Sequence, residues 1–356
     1  MNLSAIKRIV EQTYHHREYP TLIAQRGAWE RERPLEGMTV LDATPVFRNT
    51  LAKHLTLLAG GATLIAGISD VMPYDLRIVE MLRQAGIPVV HAKEKEHFAI
   101  NPDIILDCAA SFITWDARIG YAELTRSGTE AYRNSGKKVF VADAGVIKKI
   151  ETCLGTGESF FRAMEQLGYT EWKGKRLVVF GSGKVGSGII AYAAGKGADV
   201  FVVTDPASVD KRTGEFVSCV VDYREREAVE QAVMAADVIV CATGVAGAVG
   251  NCCDPERLIC SKALLVNMGV EDEFGDRIPA GRVLQQKSPV NFILEEPTHM
   301  KYMDATMALH NYGALELLNS GVGSGNILLP AARTEKQLLE ISVSKGLIGE
   351  ELKLFL

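Results

Sequence analysis

The sequence predicts an α/β protein made of two Rossmann-like, doubly wound parallel-sheet domains with a cleft between them. Three observations carry that expectation. Strand-like and helix-like runs alternate from about residue 38 onward. A glycine-rich turn stands where an apolar strand gives way to a helix. The chain has 356 residues, more than one hydrophobic core usually spans.

The elements follow in order. Residues 38–41 form a short apolar run, read as a buried strand. A helical pattern over 46–58 stops at Gly60-Gly61, and 62–68 reads as the next strand. The helical pattern over 74–85 is closed by Gly86, and 88–90 and 104–106 read as further strands. A glycine after each helix is the residue a left-handed C-cap prefers. After a helical stretch at 158–166, a second series begins with 176–180, a nearly continuous apolar run that suits a strand covered on both faces. Strands at 200–203, 238–241 and 264–267 follow, with helical patterns at 186–195 and 225–235 between them. A last helix, 306–318, is expected to cross back to the first domain. The boundaries predicted are residues 1–152, rejoined by 303–356, for a substrate domain, and 153–302 for a cofactor domain, with the ligand in the crevice between.

Composition narrows the function classes. Hydrophobic residues make up 47%, charged residues 23%, and the formal net charge is −5, which speaks against nucleic acid or an anionic membrane as partner. No apolar run reaches the ~20 residues that span a bilayer, and residues 1–17 lack a secretory apolar stretch, so a cytoplasmic location is expected. The seven cysteines are scattered and read as reduced thiols packed as small hydrophobes. Cys252-Cys253 with Cys260 is not a zinc spacing, and no metal site is expected.

The cofactor signal is Gly181-Ser182-Gly183-Lys184-Val185-Gly186, placed between strand and helix. The first glycine permits a tight turn, the second a close approach to a pyrophosphate, the third close packing of helix on strand. The helix start offers free N–H groups and the positive end of its dipole to phosphates. Asp205 ends the next strand, where an acid takes the ribose 2′-hydroxyl and repels a 2′-phosphate, so the cofactor expected is NAD. Thr243, in a small-residue turn after 238–241, and Asn267, at the end of the following strand, are further candidates for cofactor contact.

The order of segments resembles the S-adenosylhomocysteine hydrolase family from about residue 38 to residue 335. Leu57-Leu-Ala-Gly-Gly-Ala-Thr-Leu64, Gly86-Ile-Pro-Val-Val90, Pro102-Asp-Ile-Ile-Leu-Asp107 and Glu123-Leu-Thr-Arg-Ser-Gly128 are similar to first-domain segments of that family. The turn Gly181 to Gly188, Asn267-Met-Gly-Val270 and Val290-Asn291 are similar to its cofactor segments. The resemblance implies tightly held NAD used for transient oxidation of a nucleoside 3′-hydroxyl, a homo-oligomer, and cofactor contacts from Thr125, Ser127, Thr152 and Asn291. It also implies losses. The family's acid–base positions fall at Pro45, Leu124, Ala142, Ile147, Glu151, Val270 and Thr298, and its Asp-Asp-Gly-Gly-Asp run reads Asp107-Cys-Ala-Ala-Ser111. Its C-terminal Lys and Tyr tail has no counterpart up to Leu356, which leaves a dimer or a tetramer open.

Neighbouring residues are then the candidates for chemistry. Lys148 and Lys149 follow an apparent strand and turn at 139–146, and Glu151 lies just beyond them. A desolvated lysine paired with a carboxylate can work as acid or base. His299 follows Glu295-Glu296-Pro297-Thr298 and could shuttle a proton near neutral pH. Asp107 ends a first-domain strand and so points to the ligand side of the sheet. His310 and Asn311 read as packing residues, and His15-His16 as a solvated face. Three functions remain: an NAD-dependent redox enzyme acting on a secondary alcohol or amine of a small polar metabolite, a true nucleoside-thioether hydrolase, and an NAD-binding pseudoenzyme with a regulatory role.

Overall fold

The computed structural model describes residues 2–97, 101–321 and 327–352. These residues divide into two compact units, one within Met1–Ile150 and His299–Glu350, the other within Glu151–Thr298 and Glu351–Leu356. Unit 1 holds strands β1 (Thr39–Asp42), β2 (Thr63–Ile68), β3 (Val89–His91), β4 (Ile104–Asp107), β5 (Gly120–Glu123), β6 (Lys138–Val141) and the late β12 (Ile327–Leu328). Unit 2 holds β7 (Arg176–Phe180), β8 (Asp199–Thr204), β9 (Cys219–Asp222), β10 (Val238–Cys241) and β11 (Leu264–Asn267). Both sheets are parallel throughout, in the orders β12-β6-β5-β4-β1-β2-β3 and β11-β10-β7-β8-β9. In each, the chain runs outward from a central strand and then returns to that strand's other side. The reversal falls between β1 and β4 in unit 1 and between β7 and β10 in unit 2, where doubly wound sheets bind ligands.

The core explains the apolar runs. Leu177 and Val179 of β7 join one buried cluster with Val238 and Val240 of β10, while Val178 and Phe180 join another with Ile239 and Cys241. Alternate side chains of one strand thus fill both faces, and no polar alternation is left to read. Among the described residues no helix is long and apolar enough to cross a membrane. All seven cysteines are free, with Cys108, Cys153, Cys241 and Cys253 buried.

Several expected elements shift. The helix expected from residue 46 begins at Thr50. The Thr50 hydroxyl donates to the Pro45 carbonyl at 2.5 Å and holds 45–49 as a loop. The helix expected from 306 begins at Met300 and runs to Asn319, because its first turns carry buried polar residues that break the apolar period. Strands β5, β9 and β12, and the helices Ser4–Thr13 and Pro20–Glu32, have no counterpart in the sequence reading.

Two helix contacts depend on missing side chains. A Cβ on Gly188 would lie 1.9 Å from the Cys153 carbonyl oxygen, and one on Gly157 would lie 2.6 Å from the Gly188 carbonyl carbon. Helix Thr156–Gln166 therefore rests on helix Lys184–Gly195 backbone to backbone. Gly188→Ala is expected to destabilise unit 2 by about 1–3 kcal/mol through overpacking; a denaturation midpoint within error of the unsubstituted protein would refute the contact.

In unit 1, helix Met300–Asn319 carries the fully buried Asp304, whose carboxylate accepts the backbone N–H groups of Thr21 and Leu22, both at 2.9 Å. These belong to the first turn of Pro20–Glu32, where N–H groups have no partner within the helix. Burial nevertheless dominates and pushes the Asp304 carboxyl up to about 7. Folding therefore takes up a proton between the ordinary value of 3.8 and about 7. This contribution to stability is complete below the lower value and is lost as pH rises through the upper one. Asp304→Asn should flatten the fall in unfolding free energy across that window, and an unchanged pH profile of stability would refute the assignment.

Candidate functional site

In unit 2 the site grows from the end of β7. Gly181 has φ +97°, and a Cβ there would sit 2.7 Å from the Ala242 carbonyl oxygen at the end of β10. Gly183 caps helix Lys184–Gly195, and a Cβ added to it meets nothing within 4 Å. Gly186 packs so closely that its Cβ would lie 2.0 Å from the Gly181 carbonyl oxygen. The three glycines thus have three physical reasons, and the open side at Gly183 is the one a pyrophosphate needs. Lys184 and Val185 are half-buried on the first helical turn.

The neighbouring strand end completes this region. Asp205 follows β8, and its carboxylate accepts the Ala207 N–H at 3.1 Å. Arg224 Nη2 lies 3.2 Å from Asp205 Oδ1. The hydroxyl of Ser182 lies 3.1 Å from that of Thr204 and 3.0 Å from that of Ser208. Glycine turn, helix start and a half-exposed acid on the next strand fit the phosphate and ribose parts of a dinucleotide.

Two residues expected at the cofactor are engaged by protein groups. Thr243 gives both its N–H and its hydroxyl to Glu273 Oε2 at 2.8 Å, and Gly244 gives its N–H to Glu273 Oε1 at 2.7 Å. Burial pushes the Glu273 carboxyl up, while these donors hold it down. Asn267 is buried and donates to the carbonyls of Gly269, Glu271 and Lys287 at 3.0, 2.9 and 2.6 Å. Its Oδ1 accepts from Gly269 N at 3.1 Å. Both side chains fix loops. Glu273 escaped the sequence reading because nothing in its pattern separates it from Glu271 and Asp272 beside it. Asn291 is buried in the short helix Val290–Ile293, and Thr152 is half-buried in the π-helical segment Ile150–Gly155 with Glu151.

In unit 1 the strand ends gather carboxylates. Asp107 Oδ1 accepts from Cys108 N and the Ser111 hydroxyl, both at 2.7 Å, and Oδ2 from Phe112 N at 2.9 Å and the Tyr132 hydroxyl at 2.5 Å. With both oxygens doubly engaged, it ties down its own loop. Glu123 accepts from Ala109 N, Ala110 N, Thr125 N and the Thr125 hydroxyl at 2.9, 3.0, 2.8 and 2.7 Å. Thr125 caps helix Arg126–Tyr132 and lies 3.3 Å from the exposed Ser127 hydroxyl, so the pair expected at the cofactor belongs to this knot. Burial first, and then the Asp107 charge, push the Glu123 carboxyl up.

A second cluster was not anticipated. Asp42 ends β1 and receives Lys53 Nζ at 2.7 Å and the Thr44 hydroxyl at 2.7 Å, with His54 Nε2 3.3 Å away. Asp42, Lys53, His54, Thr44 and His310 are all buried. Burial opposes ionisation of Asp42, yet Lys53 and then His54 hold its carboxyl far below the usual range. Burial pushes the Lys53 ammonium down, and Asp42 pulls it back. His310 Nε2 lies 2.8 Å from the Ala122 carbonyl, which fixes the proton on that nitrogen because a carbonyl can only accept. Burial and the Lys53 charge push His310 down to about 3, and Lys148 adds to that effect.

The structure separates the two candidate lysines. Lys148 is 2% exposed and electrostatically linked to His310, whereas Lys149 faces solvent. His299 is half-buried and caps helix Met300–Asn319.

Comparison with known proteins agrees with this layout. The family model described as alanine dehydrogenase/PNT, C-terminal domain, matches residues 164–253. S-inosyl-L-homocysteine hydrolase of Methanopyrus kandleri is 32% identical over 215 residues, which are 52% of this chain and 50% of that protein. Adenosylhomocysteinase of Pyrococcus abyssi is 26% identical over 253 residues, 63% of this chain and 58% of that protein. Adenosylhomocysteinase of Thermotoga maritima is 27% identical over 300 residues, 76% of this chain and 70% of that protein. The chain is thus similar, at low identity, to adenosylhomocysteinases and their relatives. It spans about half the length of the first two relatives.

The loop after β1 that carries Thr44 of this cluster also carries Pro45. Sequence reasoning passed over Lys53 and His54 because they sit inside a helix whose other buried residues are mostly apolar. Lys53→Met should cost about 3–5 kcal/mol, because it leaves the Asp42 carboxylate buried without its cation. Adding Asp42→Asn to it should restore part of the loss; a double variant no more stable than the single one in chemical denaturation would argue against a coupled pair.

Proposed function

We propose that this chain is an NAD(H)-dependent redox enzyme acting on a secondary alcohol or amine of a small polar metabolite. The observation that carries the reading is the glycine turn of unit 2, where Gly181 and Gly186 have no room for a Cβ and Gly183 opens outward beside Asp205. When bound, NAD supplies a hydride acceptor for the carbon that bears the alcohol or amine. The residues of this chain do the rest. Gly181 to Gly186 and the helix start hold the phosphates, and Asp205 accepts from the ribose hydroxyls.

Lys148 is the residue we assign to the proton that leaves with the hydride. Its side chain is buried, and its charge acts on His310 of the Asp42 cluster. Lys149 is exposed and is not needed for that step. Glu151 and His299 are left as groups that bind or orient the substrate.

A second reading, NAD-assisted hydrolysis of a nucleoside thioether, is favoured by the hydrolase activities for which the relatives are named. It requires residues other than those at Pro45, Leu124 and Val270 to handle protons. The full chain loaded with NAD should show a rise in absorbance near 340 nm with a secondary alcohol or amine substrate. Lys148→Met should keep NAD binding and slow that rise by about 10²–10⁴-fold. Release of homocysteine from S-adenosylhomocysteine would decide for the second reading, and an unaltered rate in Lys148→Met would remove Lys148 from the chemistry.

A further inference from the structure

The ends of β8 and β9 carry two opposed sets of groups, and their geometry bears on which dinucleotide unit 2 takes. The inference rests on the dinucleotide reading proposed above. Ser182, Thr204 and Ser208 form a closed triangle of hydroxyls, with oxygen separations of 3.1, 3.0 and 3.0 Å. The Ser208 hydroxyl also lies 2.7 Å from the Asp205 carbonyl oxygen, so the triangle stands at the end of β8 beside the glycine turn. Arg224, two residues after β9, reaches the same place with Nη2 3.2 Å from Asp205 Oδ1. Hydroxyls and a guanidinium are the donors that receive a ribose 2′-phosphate.

The guanidinium is nevertheless already engaged. Its Nε donates to Asp222 Oδ1 at 2.7 Å and its Nη2 to Asp222 Oδ2 at 2.8 Å, a bidentate pair. Asp222 Oδ1 also accepts the backbone N–H of Arg224 at 3.0 Å. The clamp is therefore closed by a local turn and needs no ligand to form. Asp205, Asp222 and Arg224 together carry two negative charges and one positive charge, a net negative patch that opposes a 2′-phosphate.

We propose that Asp222 is a specificity-determining residue. By holding Arg224, it turns a surface with the composition of a 2′-phosphate site into one that takes the free 2′-hydroxyl of NAD(H) and rejects NADP(H). Asp205 reads the hydroxyl, and Asp222 withholds the cation. The two carboxylates act on different steps of discrimination, so removing Asp222 leaves the hydroxyl reader in place while freeing the guanidinium for the phosphate.

The test measures dissociation constants of NADH and NADPH by nicotinamide fluorescence on the full chain. The unsubstituted protein should favour NADH. Asp222→Asn keeps the shape and removes the charge, and should narrow the NADPH-to-NADH ratio of dissociation constants by about tenfold, mainly by tightening NADPH. Asp222→Ser should act in the same direction, which guards against a folding defect in the first variant. Adding Arg224→Leu to Asp222→Asn should abolish the gain. The proposal is overturned if the ratio moves less than twofold in both single variants, if the gain survives Arg224→Leu, or if the unsubstituted protein binds NADPH as tightly as NADH. Each of these leaves the dinucleotide reading intact. An unsubstituted protein that binds neither nucleotide overturns that reading and this proposal together.

Discussion

Parallel strands end in loops whose first backbone N–H groups have no ladder to join, and buried carboxylates meet that need throughout this molecule. Asp42, Asp107 and Glu123 are the last residues of β1, β4 and β5. Glu273 does the same for the turn after β10, although it comes from a distant loop. A buried carboxylate with two or more N–H donors is fixed in place, and it fixes the loop that supplies them. The loop after β4 shows how strong that hold is. Ala109 and Ala110 have φ of 58° and 50°, a region that costs a non-glycine residue about 1 kcal/mol, and both N–H groups point to Glu123.

The same constraint sorts the candidate residues. A carboxylate whose lone pairs are taken by neighbouring donors is held in place, as Asp107 is, and Thr125 is tied to Glu123. Thr243 and Asn267 are engaged in the same way. What the strand ends leave for ligand work is the turn at Gly183 and the half-exposed acid at Asp205. Charge balance then separates the strand ends of unit 1. Asp42 is matched by Lys53, whereas the Asp107 charge raises the proton affinity of Glu123. The burial of Lys53 is a consequence of Asp42, since neither charge would stay in the core alone.

The positions that the resemblance marks as substituted fall in both units, from Pro45 and Leu124 to Val270 and Thr298, while the glycine turn of unit 2 is intact. Two glycines of that turn tolerate no change, because a Cβ on Gly181 or Gly186 would meet backbone. A strand-end loop tolerates many, provided something accepts its N–H groups. A fold can thus keep a ligand turn while the loops around it drift.

The sequence by itself determined the α/β class, most strands of both sheets, and the dinucleotide turn, because these depend on local patterns: apolar runs, glycines at helix ends, a spacing between strand and helix. Tertiary structure decided what each polar residue does. β5 and β9 went unread because Gly120–Glu123 and Cys219–Asp222 are too short and mixed for a pattern, and only their neighbours make them strands. Lys148 and Lys149 are adjacent and chemically identical in sequence, but helical geometry turns one inward and the other to solvent. Asp107 and Asp205 both follow apolar runs and look alike, yet one is sealed among four donors and the other is half-exposed. Hydrogen-bond partners brought together by the fold settle such differences, and the spacing of residues along the chain carries no record of them.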